Sequence, residues 1–588
     1  MEKRPSQLVL IQPPLPANER HKKVLPLGLG YLASYLRKNI PDASVAILDA
    51  QVRNLNLEET LEEASAMGGP GTYWGISYWT AQAPFAAELS RRLKDRFHEC
   101  TIIHGGVHTT IYPEEALENA DFAVLHEGEI TMLELLRCLS AGGRLSQVNG
   151  IAFRENGEVV KTAPQPFIED LDSLPFPAWD LMEMQRYDTP LHVVGGNRVP
   201  IVGSRGCPYN CVYCGSPFMW GRRARWRSPE SVLDEMEEII KRYGIPQFHF
   251  WDDNLMLNRP YVVGLCEGIC RRGLEVRWTG LTRASHITAN ADLVPLLARA
   301  GCIGLEIGIE SANPDTFKEI RKQESLQDSL EVARLHKENG MYPLFTYMAF
   351  NPGETISGYY RQARFIDKIH EGLPMPDYWV HHFPFSLYIG QMCTAHPGTQ
   401  LFEDAPNLGE CLAESWEDYH HHRINFVPNS LLEDVPVRNV RRPRDLDLSL
   451  ALWALHDCFW SDFCASVPEK NQAQTLARFE EAVPRFWRLA NGRRTLREIV
   501  ERMAQQCNLS RKEALQFGAF ICLIFGQLGI IGSRRETDDV HPLTVVRREQ
   551  IPPRFIKRYR NPFLSHLEKR LGPRLTGLIE VWLPREEA

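Results

Sequence analysis

No apolar run in the 588-residue sequence reaches the ~18 residues that a membrane-spanning helix needs, so no span is expected. The opening Met1-Glu-Lys-Arg-Pro-Ser6 lacks the apolar stretch of a cleavable export signal and moves straight into a strand-like Leu8-Val-Leu-Ile11. Repeats and low-complexity tracts are missing too. An excess of positive charge is also absent: the formal net charge is -8, which disfavours a general nucleic-acid binder. Fourteen cysteines are present, and three of them crowd into one octapeptide with metal-cluster spacing. That pattern points to a reducing cytoplasm rather than to a disulfide framework. With 44% hydrophobic and 24% charged residues, the composition is globular, and the length calls for three or four domains.

The octapeptide is Cys207-Pro-Tyr-Asn-Cys211-Val-Tyr-Cys214, entered from the apolar strand and glycine loop Ile201-Val-Gly-Ser-Arg-Gly206. Thiolates at CxxxCxxC spacing can hold three irons of a [4Fe–4S] cube and leave the fourth open. A zinc site wants four ligands in two close pairs, and the next cysteine is the distant Cys266. In this the sequence resembles the radical S-adenosylmethionine (SAM) superfamily, where SAM chelates the open iron. The aromatic residue before the third cysteine belongs to that pattern, and Tyr213 fills it. The resemblance implies Cys207, Cys211 and Cys214 as cluster ligands.

Upstream, strands and helices alternate from Leu8 to Leu125, which implies a parallel sheet, helices on both faces and a ligand beyond the strand C-terminal ends. The loops at those ends read Gly75-Ile-Ser-Tyr-Trp79, His104-Gly-Gly-Val-His-Thr-Thr110 and His126-Glu-Gly-Glu129. Together with Pro26-Leu-Gly-Leu-Gly30 they are similar to the cobalamin-binding domain of one radical SAM branch. The resemblance implies cobalamin contacts at Gly75, Ser77, Tyr78, Trp79, Gly105, Gly106, His108, Thr109, Glu127, Gly128 and Glu129. One departure stands out. The DxHxxG that supplies a histidine to cobalt elsewhere is missing, since Asp49 is followed by Ala-Gln-Val-Arg-Asn54. Cobalamin would then lie without a lower histidine, above Tyr78 or Trp79. Competing readings are a flavodoxin-like domain that binds nothing, and His104 or His108 as ordinary loop histidines.

Gly150–Arg154 and Glu158–Lys161 flank the turn signal Asn156-Gly157, and a proline-dotted connector follows. Beyond it, βα units suggest a partial barrel with function at the strand ends. Asp252-Asp-Asn254, Thr282-Arg283, Gly308-Ile-Glu-Ser311 and Asn351-Pro-Gly-Glu-Thr355 each follow a strand. By resemblance, Asp253 and Asn254 lie near the methionine end of SAM, Arg283 near its carboxylate, Glu310 and Ser311 near its ribose or amino acid part, and the Pro352–Thr355 turn beside the adenosine. Asp252 and Glu354 read equally well as helix caps. The aromatic Tyr378–Tyr388, with His381 and His382 on opposite faces, either meets substrate or fills the core. His420-His-His422 invites a metal but fits a solvated loop.

Leu448–Phe463 reads as an apolar helix, and Leu489-Ala-Asn-Gly-x-x-Thr-Leu-x-Glu-Ile-Val500 resembles the peptide-recognition modules of ribosomal-peptide maturation enzymes, a winged-helix-like fold that a DNA-binding domain could share. The expected class is α/β: a doubly wound Rossmann-like cobalamin domain (1–148), a linker with hairpin (149–190), a partial (β/α)6 radical SAM barrel (191–402), a helical extension (403–480), a mostly α winged-helix-like module (481–540) and a tail (541–588). The expected cofactors are a [4Fe–4S] cluster, SAM and cobalamin. The implied activity is C-methylation of a peptide or amino-acid-derived substrate in natural-product biosynthesis, radical or polar, fed by an external electron donor. A non-methylating cyclase or rearranging enzyme and a SAM- or cobalamin-sensing regulator are the alternatives.

Overall fold

The structure is a computed structural model. It describes residues 7–16, 24–187, 198–370, 391–419, 424–433, 437–439, 474, 478, 482–483, 485–527 and 531–532. The segments 378–388, 420–423, 448–463 and 541–588, on which sequence expectations fall, lie outside the described residues, as do 1–6 and 188–190.

The first sheet carries β1 (Gln7–Gln12), β2 (Ser44–Asp49), β3 (Tyr73–Ser77), β4 (Thr101–Gly105), β5 (Phe122–Val124), β6 (Ile151–Glu155) and β7 (Glu158–Lys161) in the order β2-β1-β3-β4-β5-β6-β7. Strands β1 to β5 run parallel, as the alternation of strand and helix predicts. The hairpin at Asn156-Gly157, expected in the linker, instead extends this sheet by pairing antiparallel with β5. Asn156 and Gly157 both take positive φ, the geometry of a primed hairpin turn.

The helix Gly128–Ala141 was not foreseen. Its first residues coincide with the Glu-Gly-Glu loop, so the loop signal masked the helix start. Elsewhere caps set the boundaries. Asn56 and Glu59 close a reciprocal capping box on the helix Leu57–Met67, and Ser228 accepts from Ser231 N ahead of Pro229 to start Pro229–Tyr243.

The second sheet joins β8 (Val199–Ile201), β11 (Gln247–Phe250), β12 (Arg277–Thr282), β13 (Cys302–Glu310), β14 (Leu344–Ala349) and β15 (Gln391–Met392) in sequential order, all parallel. This is an open half-barrel. Between β8 and β11, β9 (Ser204–Arg205) and β10 (Arg225–Trp226) form a short antiparallel ribbon.

One hydrophobic core runs through both sheets, because Trp179, Met182 and Tyr187 of the connector fill the space between them. Gly30 is the contact point: a Cβ there would fall 2.2 Å from Met182 Cε. Toward the C-terminus, the helices Leu496–Gln506 and Arg511–Gln527 pack with the helix Ile356–His370 around a second core, and Ile531–Gly532 pairs antiparallel with Arg438–Asn439. The Arg511–Gln527 helix is buried from Ala514 onward. No helix among the described residues is long and apolar enough to cross a membrane.

Candidate cofactor site at the facing strand ends

The β9–β10 ribbon brackets the cysteine loop. Gly206 turns the chain at φ +97°, where an L side chain is strained, and a Cβ there would lie 2.5 Å from the Arg223 carbonyl. Asp253, beyond β11, holds the loop from the other side by accepting from Gly206 N at 3.2 Å and Ser216 Oγ at 2.7 Å. Val212 N donates to Ile320 O and Val212 O accepts from Leu401 N, so the loop is pinned between its second and third cysteines.

Cys207, Cys211 and Cys214 are half-buried and free. Burial, with added repulsion from Asp253 and the other two sulfurs, pushes the Cys214 thiol up to about 12, and burial raises Cys207 as well. Thiols raised in this way ask for cations to become thiolates. Among the described residues no group of three or more potential ligands fits a single metal ion. A cubane asks for one iron per thiolate instead, and this donor set fits it.

Around the loop the strand ends supply the remaining predicted residues. Glu310 takes φ +65°, an unfavourable backbone for glutamate, and its Oε1 accepts from Tyr213 Oη at 3.0 Å and Lys322 Nζ at 3.1 Å. Burial works against the Lys322 charge, but Glu310 and Glu324 outweigh it and hold the ammonium above its ordinary range. Gly308 makes room: a Cβ would fall 2.2 Å from Glu310 Oε1. Arg283 stacks over the Tyr209 ring at 3.8 Å, and its Nη1 lies 3.8 Å from Cys211 Sγ. Asn254 accepts from Thr282 Oγ1 at 2.9 Å, while its buried Nδ2 has no partner. That orphan donor suits a ligand with acceptor oxygens.

Two expectations shift. Ser311 is fully buried and donates to Glu354 at 3.0 Å, so its hydroxyl is committed to the protein. Neither Asp252 nor Glu354 caps a helix. Asp252 accepts from Gly203 N and Ser204 Oγ, and Thr355 receives the Gly358 N–H at the next helix start. Burial pushes both carboxyls up to about 7.

In the first domain the predicted contacts divide. Ser77, Gly105 and Gly106 stand at strand ends, Gly128 starts a helix, and Trp79 is 54% exposed. Gly106 has φ +93°, with a Cβ position only 2.8 Å from Tyr78 O. Gly75 lies instead inside β3, packed on Leu10. Tyr78 is buried and pairs with His104 Nδ1 at 3.0 Å, and Ser90 Oγ meets the other ring nitrogen, so His104 is a satisfied core residue. Thr109 Oγ1 donates back to Gly105 O. His108 is buried among the rings of Tyr78, Tyr112 and Trp416, the last arriving from beyond the barrel. An exposed indole at strand ends that carry Gly105, Gly106 and Gly128, with Gly106 closed to any side chain, fits a broad, flat ligand such as cobalamin.

Glu127 and Glu129 turn away from that surface. Glu127 accepts from Arg205 and Arg225 at 2.9 Å and from Ile168 N, and Glu129 accepts from Arg205 at 2.7 Å. Burial works against the Arg205 charge, yet Glu129 and Glu127 outweigh it and raise it. These pairs clamp the loop after β5 to the ribbon that carries the cysteines. Phe218 of the cysteine loop adds a ring contact to His126 at 5.7 Å. Lys322, Arg225 and Trp416 stand alone in sequence without a motif around them, and Arg205, though it lies in the loop that enters the cysteine octapeptide, has no feature there that marks it as the partner of Glu127 and Glu129.

Residues 201–365 match the Radical SAM superfamily and residues 16–136 match the B12 binding domain. An uncharacterized methyltransferase of Pyrococcus horikoshii is 30% identical over 400 residues, covering 67% of this chain and 81% of that protein. The anaerobic magnesium-protoporphyrin IX monomethyl ester cyclase of Synechocystis sp. is 31% identical over 350 residues, 58% of this chain and 68% of that one. The fold is similar to that of the cobalamin-dependent SAM radical enzyme OxsB with aqua-cobalamin and SAM bound: TM-score 0.59 at 16% identity, covering 95% of this chain and 84% of that one.

Proposed function

Because this chain belongs to the cobalamin-binding radical SAM family, we propose that it is a methyltransferase that moves a methyl group from SAM to a carbon atom of a peptide or amino-acid-derived substrate. Its cofactors are a [4Fe–4S] cluster, SAM and cobalamin. When bound, the cluster supplies an electron for splitting SAM and cobalamin supplies a methyl carrier. The observation that carries the reading is the clamp of Arg205 and Arg225 on Glu127 and Glu129, which turns the strand ends of the first sheet toward the cysteine loop.

In this reading the protein binds and orients. Cys207, Cys211 and Cys214 hold the cluster, and Asp253 fixes the shape of their loop. Lys322, paired with Glu310, and Arg283, held by Glu324 and the Lys322 and Gln323 carbonyls, bring positive charge for a carboxylate, and Glu310 and the Asn254 amide offer an acceptor and a donor for the rest of SAM. Ser77, Trp79, Gly105, Gly106 and Gly128 offer the cobalamin surface. The 489–500 phrase supports a peptide substrate.

A non-methylating cyclisation is the second reading, favoured by the relative named as a cyclase. The discriminating experiment gives anaerobically reconstituted, reduced protein methyl-labelled SAM without substrate. Label on cobalamin, with S-adenosylhomocysteine released, is the expected result. Cobalamin that binds and never gains label would sink the methyltransferase reading in favour of the cyclase.

A further inference from the structure

Among the described residues three large apolar side chains are exposed: Trp79, Trp251 and Leu281. Trp79 stands at the first sheet. The other two stand on the half-barrel, whose strands present two distinct faces. Phe248, Phe250, Trp278, Leu305 and Ile307 are fully buried in the core toward the helices. The opposite face carries His249, Trp251, Thr279, Leu281 and Glu306, by the two-residue alternation of a strand.

Register places these residues in layers. His249 lies opposite Thr279, and Leu281 opposite Glu306. Trp251, Leu281 and Glu306 therefore share a layer, and Asp253, Arg283 and Gly308 form the next one, about 7 Å nearer the cysteine loop. Below, His249 Nδ1 pairs with Thr279 Oγ1 at 2.6 Å, and Arg198 Nη1 donates to the same hydroxyl at 3.4 Å.

Glu306 has the Arg198 charge nearby but lacks a hydrogen-bond donor among the described residues. Its side chain is 25% exposed, and its Oε1 is 3.7 Å from His249 Nδ1. Burial, with the Arg198 charge adding to it, lowers His249 to about 3, so the imidazole is neutral; the positive charge that Glu306 feels comes from Arg198, which lowers the carboxyl while burial, the larger effect, raises it. A carboxylate without a hydrogen-bond donor gains most from a ligand that brings its own N–H or O–H.

We propose that this layer is the acceptor-substrate subsite: Trp251 and Leu281 hold an apolar or aromatic body, and Glu306 reads an amine or hydroxyl on it. The proposal rests on the family reading above for the place of the cofactors and adds the chemical class of the substrate.

The test is equilibrium dialysis of full-length protein, anaerobically loaded with cluster, cobalamin and SAM, against three matched probes: 2-phenylethylamine, 2-phenylethanol and 3-phenylpropionate. The amine should bind roughly tenfold or more tightly than the carboxylate, with the alcohol between, and Glu306→Gln should bring amine and carboxylate to within roughly threefold. Trp251→Ala should weaken amine and alcohol together by about tenfold without changing their order. Bound iron confirms that each variant folds, and Trp251→Ala keeps the test alive if Glu306→Gln does not. A carboxylate that binds wild type as well as the amine does, or a preference that survives in Glu306→Gln, overturns the subsite. Label uptake by wild-type protein without substrate is a separate readout, so failure of the methyltransferase reading and failure of the subsite are told apart.

Discussion

Arg205 Nη1 lies 2.9 Å from Glu127 Oε1 with the two side chains 7% and 3% exposed. The same carboxylate takes Arg225, and Arg205 turns its other nitrogen to Glu129. Two guanidiniums thus face two carboxylates where the first sheet meets the ribbon, one residue before the Gly206 turn into the cysteine loop.

Removing one member of such a group leaves a buried charge without a partner. Glu127→Ala should cost about 3–5 kcal/mol, read as a lower unfolding midpoint, with cobalamin and iron both bound less completely. Glu127→Gln combined with Arg225→Gln should cost clearly less than Glu127→Ala. Equal losses would show that the charges are not coupled.

Gly106→Ala puts a Cβ against the Tyr78 backbone at a φ that L residues avoid. Cobalamin affinity, followed by dialysis against hydroxocobalamin, should fall roughly tenfold or more, while iron content stays at the wild-type level. Unchanged affinity would place cobalamin elsewhere.

Lys322→Met takes the cation from Glu310 and from the hydroxyl of Tyr213. SAM binding to the reconstituted protein should weaken roughly tenfold or more, with the cluster spectrum retained. Loss of the cluster itself would make Lys322 a fold residue and not a contributor to the SAM site.

Glu354 is fully buried, and burial raises its carboxyl from 4.5 to about 7. A carboxyl raised in the folded state favours folding below its unfolded value, and that contribution disappears as pH climbs through the folded one. Between pH 5 and 8 the unfolding free energy of wild type, read from urea melts, should therefore fall by up to ~3 kcal/mol from this group at ~1.4 kcal/mol per unit. Glu354→Gln should flatten that slope. A slope unchanged in the variant assigns the pH dependence to other groups such as Asp252.

The alternation of strands and helices was legible because apolar runs and caps are local properties, and the parallel strands of both sheets follow it. Cys207, Cys211 and Cys214 were legible because cluster spacing is a sequence property. Glu127 and Glu129 misled, since a Glu-Gly-Glu loop at a strand end looks the same whether its carboxylates meet a ligand or two arginines 76 to 98 residues away. Gly75 misled for a related reason: a glycine needed for Leu10 packing carries no mark that separates it from one needed by a ligand. Lys322 was invisible because its partners, Glu310 and Tyr213, come together only when the half-barrel curves.

Trp416 reaches back to the first domain, where its indole N–H donates to Glu115 across 301 positions of chain and its ring covers His108. During synthesis the first sheet leaves the ribosome long before that indole exists. At roughly 5–20 residues per second the aromatic cage around His108 stays open for about 15–60 s. The domain that begins the chain is thus among the last to be finished, and a protein cut after the barrel would carry it permanently incomplete.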